Sequence, residues 1–159
     1  MSSAINTRRL TPEDWQLYRR VRLAALKEAP YAFGSTYEGA VDAPERAWRE
    51  RLADRTCFVA EVDGVVAGTI SITDSTYSRA ADITAMWVDP RFRRLGVGNT
   101  LLATALDWAR AVGHEQVLLW VTEVNVAAQH LYSQSGFVRT GASQEVRPGE
   151  LEHEMSLRL

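Results

Sequence analysis

Cysteine is almost missing from this chain: Cys57 is the only one in 159 residues. An internal disulfide is therefore excluded, which suits a reducing compartment and leads us to expect a cytoplasmic protein. Cys57 stands in the apolar run Cys57-Phe58-Val59-Ala60, where a thiol reads as buried filler rather than a nucleophile. No apolar run is long enough to span a bilayer, and Met1-Ser2-Ser3-Ala4 carries no signal-peptide pattern. Charge of one sign is lacking too. A net charge of −2 gives no reason to expect nucleic acid or an anionic membrane as a partner. His114, His130 and His153 are scattered without ligand spacing, so no metal is expected. There is no Gly-x-Ser-x-Gly elbow for a serine hydrolase, and no repeat or low-complexity linker. What is present, 46% apolar and 24% charged residues, fits one globular domain over 1–159 with a sizeable core.

One stretch stands out. Trp87-Val88-Asp89-Pro90-Arg91-Phe92-Arg93-Arg94-Leu95-Gly96-Val97-Gly98-Asn99-Thr100 ends a strand, breaks at Asp-Pro, and enters a helix through two glycines. Gly96 and Gly98 permit backbone angles and close approaches that a side chain would block. A helix starting there presents unpaired N–H groups at its positive dipole end, a seat for phosphate or pyrophosphate, with Arg91, Arg93 and Arg94 beside it. A nucleoside-triphosphate loop would need Gly-Lys, which the chain does not contain. A dinucleotide loop would need a third glycine near 101, where Leu101 stands.

In chain order, 4–10 is a weak strand. Thr11-Pro12-Glu13-Asp14 starts a helix whose stripe is Trp15, Leu17, Tyr18, Val21, Ala24 and Ala25, ended by Ala29-Pro30. An aromatic loop covers 31–38. Asp42-Ala43-Pro44-Glu45 has capping-box spacing and opens a short helix with Trp48 and Leu52. Phe33, Tyr37 and Trp48 form one wall of an acceptor site or merely cover a sheet edge. The runs 56–62 and 65–73 flank Asp63-Gly64 as a hairpin. Strand 81–88 leads into the glycine loop. Helix 99–112 shows Leu102, Ala105, Trp108, Ala109 and Val112 on one face and stops at Gly113. Strand 116–122 is apolar throughout, as if buried on both faces. Asn125 caps a helix through Ala127, Ala128, Leu131 and Tyr132, closed by Ser135-Gly136. Strands from Phe137-Val138 and over 152–159, turning at Arg147-Pro148-Gly149, finish an α/β domain with a mixed sheet.

The order strand, Val88-Asp89-Pro90, Arg93-x-x-Gly96-x-Gly98, helix, strand, Asn125, then Leu131-Tyr132-x-x-x-Gly136-Phe137 resembles the GNAT (GCN5-related N-acetyltransferase) superfamily. The match is tight over 81–138, and Ala29-Pro30-x-Ala32-Phe33-Gly34-Ser35 resembles the acceptor-side loop of many bacterial members. The resemblance implies a mostly antiparallel sheet of about six to seven strands with about four helices, in which two strands splay to admit acetyl-coenzyme A. It implies that Met86, Trp87 and Val88 line the pantetheine arm, with Met86 and Val88 bonding it through the backbone as an added strand would. The N–H groups of Arg94, Leu95, Gly96, Val97, Gly98, Asn99 and Thr100, with Arg93, would hold the pyrophosphate. Asn125 would contact the arm or the acceptor, and Ala128 and Leu131 would line its path. Phe33, Tyr37, Thr84 and Glu123 would face the acceptor. Dimers are frequent in such families, so the resemblance also implies a homodimer.

The implied reaction moves an acetyl group from coenzyme A to a primary amine of a small molecule or protein. Positioning amine and thioester together supplies up to ~7–11 kcal/mol in favourable cases. The Val88 N–H would stabilise the oxyanion, and Tyr132 would protonate the leaving thiolate, since a phenol of pKa about 10 keeps its proton at neutral pH. The base is open among Asp82, Glu123 and water. Many members carry a glutamate on the strand before Val-Asp-Pro, where this chain has Asp82 and Thr84. Strict alternation places Asp82, Thr84 and Met86 on one face. The missing glutamate leaves a non-catalytic coenzyme A-binding module as the alternative.

Overall fold

The computed structural model describes residues 4–159, so Met1-Ser2-Ser3, read above for a signal pattern, lie outside the described residues. Strands β1 (Ile5–Arg9), β2 (Thr56–Val62), β3 (Val65–Asp74), β4 (Ala80–Val88), β5 (Gln116–Thr122), β6 (Val138–Arg147) and β7 (Glu150–Arg158) form one sheet in the order β1-β2-β3-β4-β5-β7-β6. Every neighbouring pair is antiparallel except β4 and β5, which are parallel. Helices α1 (Trp15–Glu28), α2 (Tyr37–Ala40), α3 (Glu45–Asp54), α4 (Val97–Ala111) and α5 (Val126–Gln134) complete the described chain, with α4 connecting the parallel pair.

Local chemistry accounts for most of these elements. The β2–β3 turn has Asp63 at φ 50° and Gly64 at φ 78°, both left-handed, as a two-residue hairpin turn twisted like its strands requires. Before α1, the Thr11 N–H donates to Asp14 Oδ2 at 2.8 Å, which sets the entry of the chain into the helix. In α4 the stripe Val97, Leu101, Leu102, Ala105 and Ala109 is buried against Ile70, Ile72, Ile83 and Leu119. On the opposite face, α1 and α3 bury Tyr18, Leu26, Trp48 and Leu52 against Cys57, Val59 and Trp87. Trp48 is fully enclosed, edge-on to Tyr18 at 5.8 Å, and its indole N–H reaches the Ala43 carbonyl at 3.1 Å.

Several boundaries differ from expectation. Helix α4 starts at Val97, two residues early, because Gly96 takes φ 91° and serves as its N-cap. Asp42 caps nothing: α3 starts at Glu45 behind an extended Pro44, without a side-chain cap. A short helix, α2, forms where a loop was expected, held by Thr36 Oγ1 accepting from the Gly39 N–H at 3.1 Å. Ala24 and Val112 are exposed, and α1 instead buries Leu23 and Leu26. Strand β5 is buried on both faces except at Trp120, which is 38% exposed although Leu118, two residues earlier on the same face, is buried.

Candidate active site

The site begins with an irregularity in β4. Thr69 pairs with Trp87 and Ser71 with Thr84, so β3 advances two residues while β4 advances three. The extra residue is Ala85, at φ 55°. Its consequence is a change of face. Ala81 and Ile83 pack under α4, yet so do Met86 and Val88, whereas Trp87 turns into the α1–α3 core. Asp82 and Thr84 therefore lie on the face opposite Met86, which corrects the expectation that all three share one.

The same strand loses its neighbour at the bulge. β4 pairs with β5 only over Ala80–Ile83 and Gln116–Leu119, whereas β5 keeps its other partner, β7, through Thr122. The two parallel strands thus part beyond Ile83. The Asp89 N–H donates to the Ala67 carbonyl at 2.8 Å on the β3 side, so alternation turns the Val88 N–H the other way, into the gap. The Val88 carbonyl is taken, accepting from Arg93 Nε at 3.1 Å.

Beside the gap lies the glycine loop. The Asp89 carboxylate accepts from the Arg91 N–H at 2.9 Å and shapes the turn, and the Arg91 guanidinium bonded to it holds its pKa below the usual range. Arg94 at φ 65° and Gly96 at φ 91° then bend the backbone into α4. Among the described residues the N–H groups of Arg94, Leu95, Gly96, Val97, Gly98 and Asn99 have no acceptor, and α4 has no side-chain cap. Consecutive free amides at a helix start, in left-handed turns, make an anion cradle. Thr100 is not part of it, since its N–H already reaches the Gly96 carbonyl at 3.0 Å. Nor do three arginines gather there. Arg91 is bound to Asp89 and Arg93 to Glu28 at the end of α1; Arg94 alone has no carboxylate among the described residues. Cradle and gap adjoin at Gly98, where a Cβ would meet Leu131 Cδ2 at 3.2 Å, Met86 Cε at 3.5 Å and Val88 Cγ2 at 3.7 Å.

Helix α5 forms the opposite wall. Asn125 Oδ1 accepts from the Ala128 N–H at 3.3 Å as N-cap, and Gln129 Nε2 ties the helix to the Thr122 and Glu123 carbonyls. Ala128 and Leu131 are partly buried in the α4-side core. Tyr132 is 5% exposed, its ring 5.8 Å from that of Phe137, and burial pushes its phenol pKa upward.

The acidic residues separate. Asp82 lies where β4 and β5 are still paired; desolvation raises its pKa, opposed by Ser75 and reinforced by Glu154. Glu123 follows β5 and stands 3.4 Å from His153 Nε2. On the other side of the sheet Thr84 is exposed, whereas Phe33 is buried under the Arg22 guanidinium at 4.7 Å and Trp48 is core, so neither aromatic is an open wall. Tyr37 does line a cavity, of about 560 Å³, with Leu26, Pro30, Tyr31 and Arg147. Sequence reading missed Ala85, Glu28 and the arginines of α1 and α3. The helical spacing Tyr18-Arg22-Leu26 alone hinted at the last, since Arg55 is extended just beyond α3. Among the described residues there is no cluster able to hold a metal, and no helix long and apolar enough to cross a membrane.

The described residues thus place a pair of parallel strands that part beside a run of unengaged amides at a helix start. The chain belongs to the acetyltransferase (GNAT) family, whose model matches residues 19–137. It is 31% identical over 112 residues to streptothricin acetyltransferase of Streptomyces lavendulae, covering 70% of this chain and 59% of that one. It is 36% identical over 96 residues to N-acetylaspartate synthetase of Rattus norvegicus, covering 59% of this chain and 32% of the relative. The matches thus span less than two thirds of these relatives' length. Among solved structures, yncA of Salmonella typhimurium with its cofactor acetyl-CoA superposes with a TM-score of 0.79 at 25% identity, over 99% of this chain and 95% of that one.

Proposed function

We propose that this protein is an N-acetyltransferase that moves an acetyl group from acetyl-coenzyme A directly to an amine. The observation that carries this reading is the run of unengaged amides from Arg94 to Asn99 opening onto the gap that the Val88 N–H faces. Acetyl-coenzyme A supplies an activated acetyl thioester. The chain's own groups would supply the rest: the cradle would hold the pyrophosphate, the edge of Met86 and Val88 would bond the arm, and the Val88 N–H would stabilise the charge that develops on the carbonyl. Burial keeps the proton on the Tyr132 phenol at neutral pH and also makes it a weaker acid, so its part would be to hand that proton over only as negative charge builds on the departing sulfur. Asp82, held above the usual carboxylate range, and Glu123 are side-chain candidates to take the ammonium proton, with water the third route. The relatives named above carry different acceptors in their names, so the acceptor does not follow from them.

Purified protein mixed with acetyl-coenzyme A and a panel of primary amines should release free thiol only when an effective amine is present, with an acetylated product of matching mass. Tight coenzyme A binding with no turnover on any amine would instead favour a non-catalytic coenzyme A-binding module.

A further inference from the structure

On the face of the sheet away from α4, a cavity of about 460 Å³ lies between α1, α3 and the 34–40 segment. Its polar side chains are Tyr18, Arg22, Arg51, Arg55, Ser35 and Thr36; no carboxylate lines it. Ion pairing does not account for these arginines, since among the described residues none of the three has a carboxylate within salt-bridge distance. Arg22 Nη1 and Arg55 Nε are buried and have no hydrogen-bond partner. Ring faces occupy only part of the cationic surface, with Arg22 over Phe33 at 4.7 Å and Arg51 over Trp48 at 4.5 Å.

Three like charges turned into one cavity, two with buried donors unmet, cost free energy that an anion between them would offset. The cavity also has a fixed relation to the transfer gap. Its walls Tyr18, Leu26 and Ala40 share a core with Cys57 and Trp87. Cys57 pairs with Ser71, and Ser71 with Thr84, immediately before the bulge at Ala85. The cavity therefore lies on the face of the sheet that Thr84 exposes, with Cys57, Ser71 and Thr84 marking three successive strands between it and the point where β4 leaves β5.

We infer that the arginine cavity is the acceptor's anion subsite, so that the amine acetylated is a small amino compound that also carries a carboxylate or phosphate. This rests on the transferase reading above and narrows its acceptor. Charge-assisted hydrogen bonds of this kind contribute about 1.5–3 kcal/mol each, or roughly 10- to 150-fold in kcat/KM.

The test compares amines that differ only in the anion: 4-aminobutyrate with 4-aminobutyramide, and phosphoethanolamine with ethanolamine. The anionic member of at least one pair should be acetylated with a kcat/KM at least about 10-fold higher. Which pair shows the difference identifies carboxylate or phosphate. Arg22→Gln and Arg55→Gln should each abolish the preference while coenzyme A affinity stays unchanged, which also confirms that the variants fold. Equal rates within both pairs, or a preference that survives both substitutions, would overturn the inference. Calorimetric titration of the free protein with malonate and with inorganic phosphate gives a second readout that needs no turnover. Binding lost in Arg22→Gln supports the subsite even if no amine is acetylated, whereas absence of binding by either anion refutes it.

Discussion

Tyr132→Phe should lower kcat for acetyl transfer about 10²- to 10⁴-fold, the usual worth of a positioned proton donor. Coenzyme A affinity should not change, because the ring stays packed on Phe137 and the cradle amides belong to another element. The folded state should not suffer either. No hydrogen bond among the described residues holds the Tyr132 hydroxyl, so removing it leaves no partner unmet. Rapid-quench turnover and coenzyme A titration on the same preparation separate the two effects. An undiminished kcat would remove Tyr132 from the chemistry and shift proton delivery to water.

The same burial sets the alkaline limit of the protein. The folded state holds the Tyr132 proton more tightly than the unfolded chain, and Tyr18 and Cys57 are pushed upward in the same way. For a group whose folded pKa is raised, the contribution to stability is complete below the unfolded pKa and declines above it. Urea denaturation should therefore show stability falling as pH rises past about 9 to 10, the unperturbed thiol and phenol range. Tyr132→Phe should make that fall shallower.

Gly68→Ala should unfold the chain more easily by about 1–3 kcal/mol, lowering Tm by roughly 3–10 °C for a domain of this size. A Cβ at Gly68 would sit 2.6 Å from the Trp87 carbonyl oxygen and 3.3 Å from Val88 Cα. Both are backbone atoms of the neighbouring strand, so no side-chain rotation relieves the clash and β3 must move off β4. Since Val88 borders the gap, coenzyme A affinity should fall in the same variant. Gly34→Ala is the control: its nearest neighbour, Val146 Cγ2 at 3.4 Å, is in ordinary contact, and its melting point should barely move. Equal melting points for the two variants would show that the β3–β4 approach at Gly68 is not constrained.

The cradle was legible because its cause is local. Glycines after Asp-Pro produce left-handed turns and a helix start whatever surrounds them, and Arg94 and Gly96 duly take positive φ. The helix boundary was misplaced by two residues because Gly96 itself acts as the cap. The arginines of the loop were legible as charges but not as contacts. Arg93 could be assigned to pyrophosphate from its position in the motif, yet Glu28, distant in sequence, meets it in the fold. Thr84 and Asp82 were placed on the wrong face for a related reason. Alternation assumes a regular pleat, and nothing in Thr84-Ala85-Met86 announces a bulge.

Short-range physics, then, was readable from the order of residues alone: the Asp63-Gly64 hairpin, the apolar stripe of α4, the free amides ahead of it and the cap at Asn125. These depend on torsion angles and hydrogen bonds within a few residues. Tertiary packing alone decided where β4 parts from β5, which way Met86 and Trp87 turn, and that arginines from α1 and α3 face one cavity. Those outcomes depend on the register between strands and on the approach of helices from distant parts of the chain, where the energy of each contact is set by a neighbour that the local sequence does not contain.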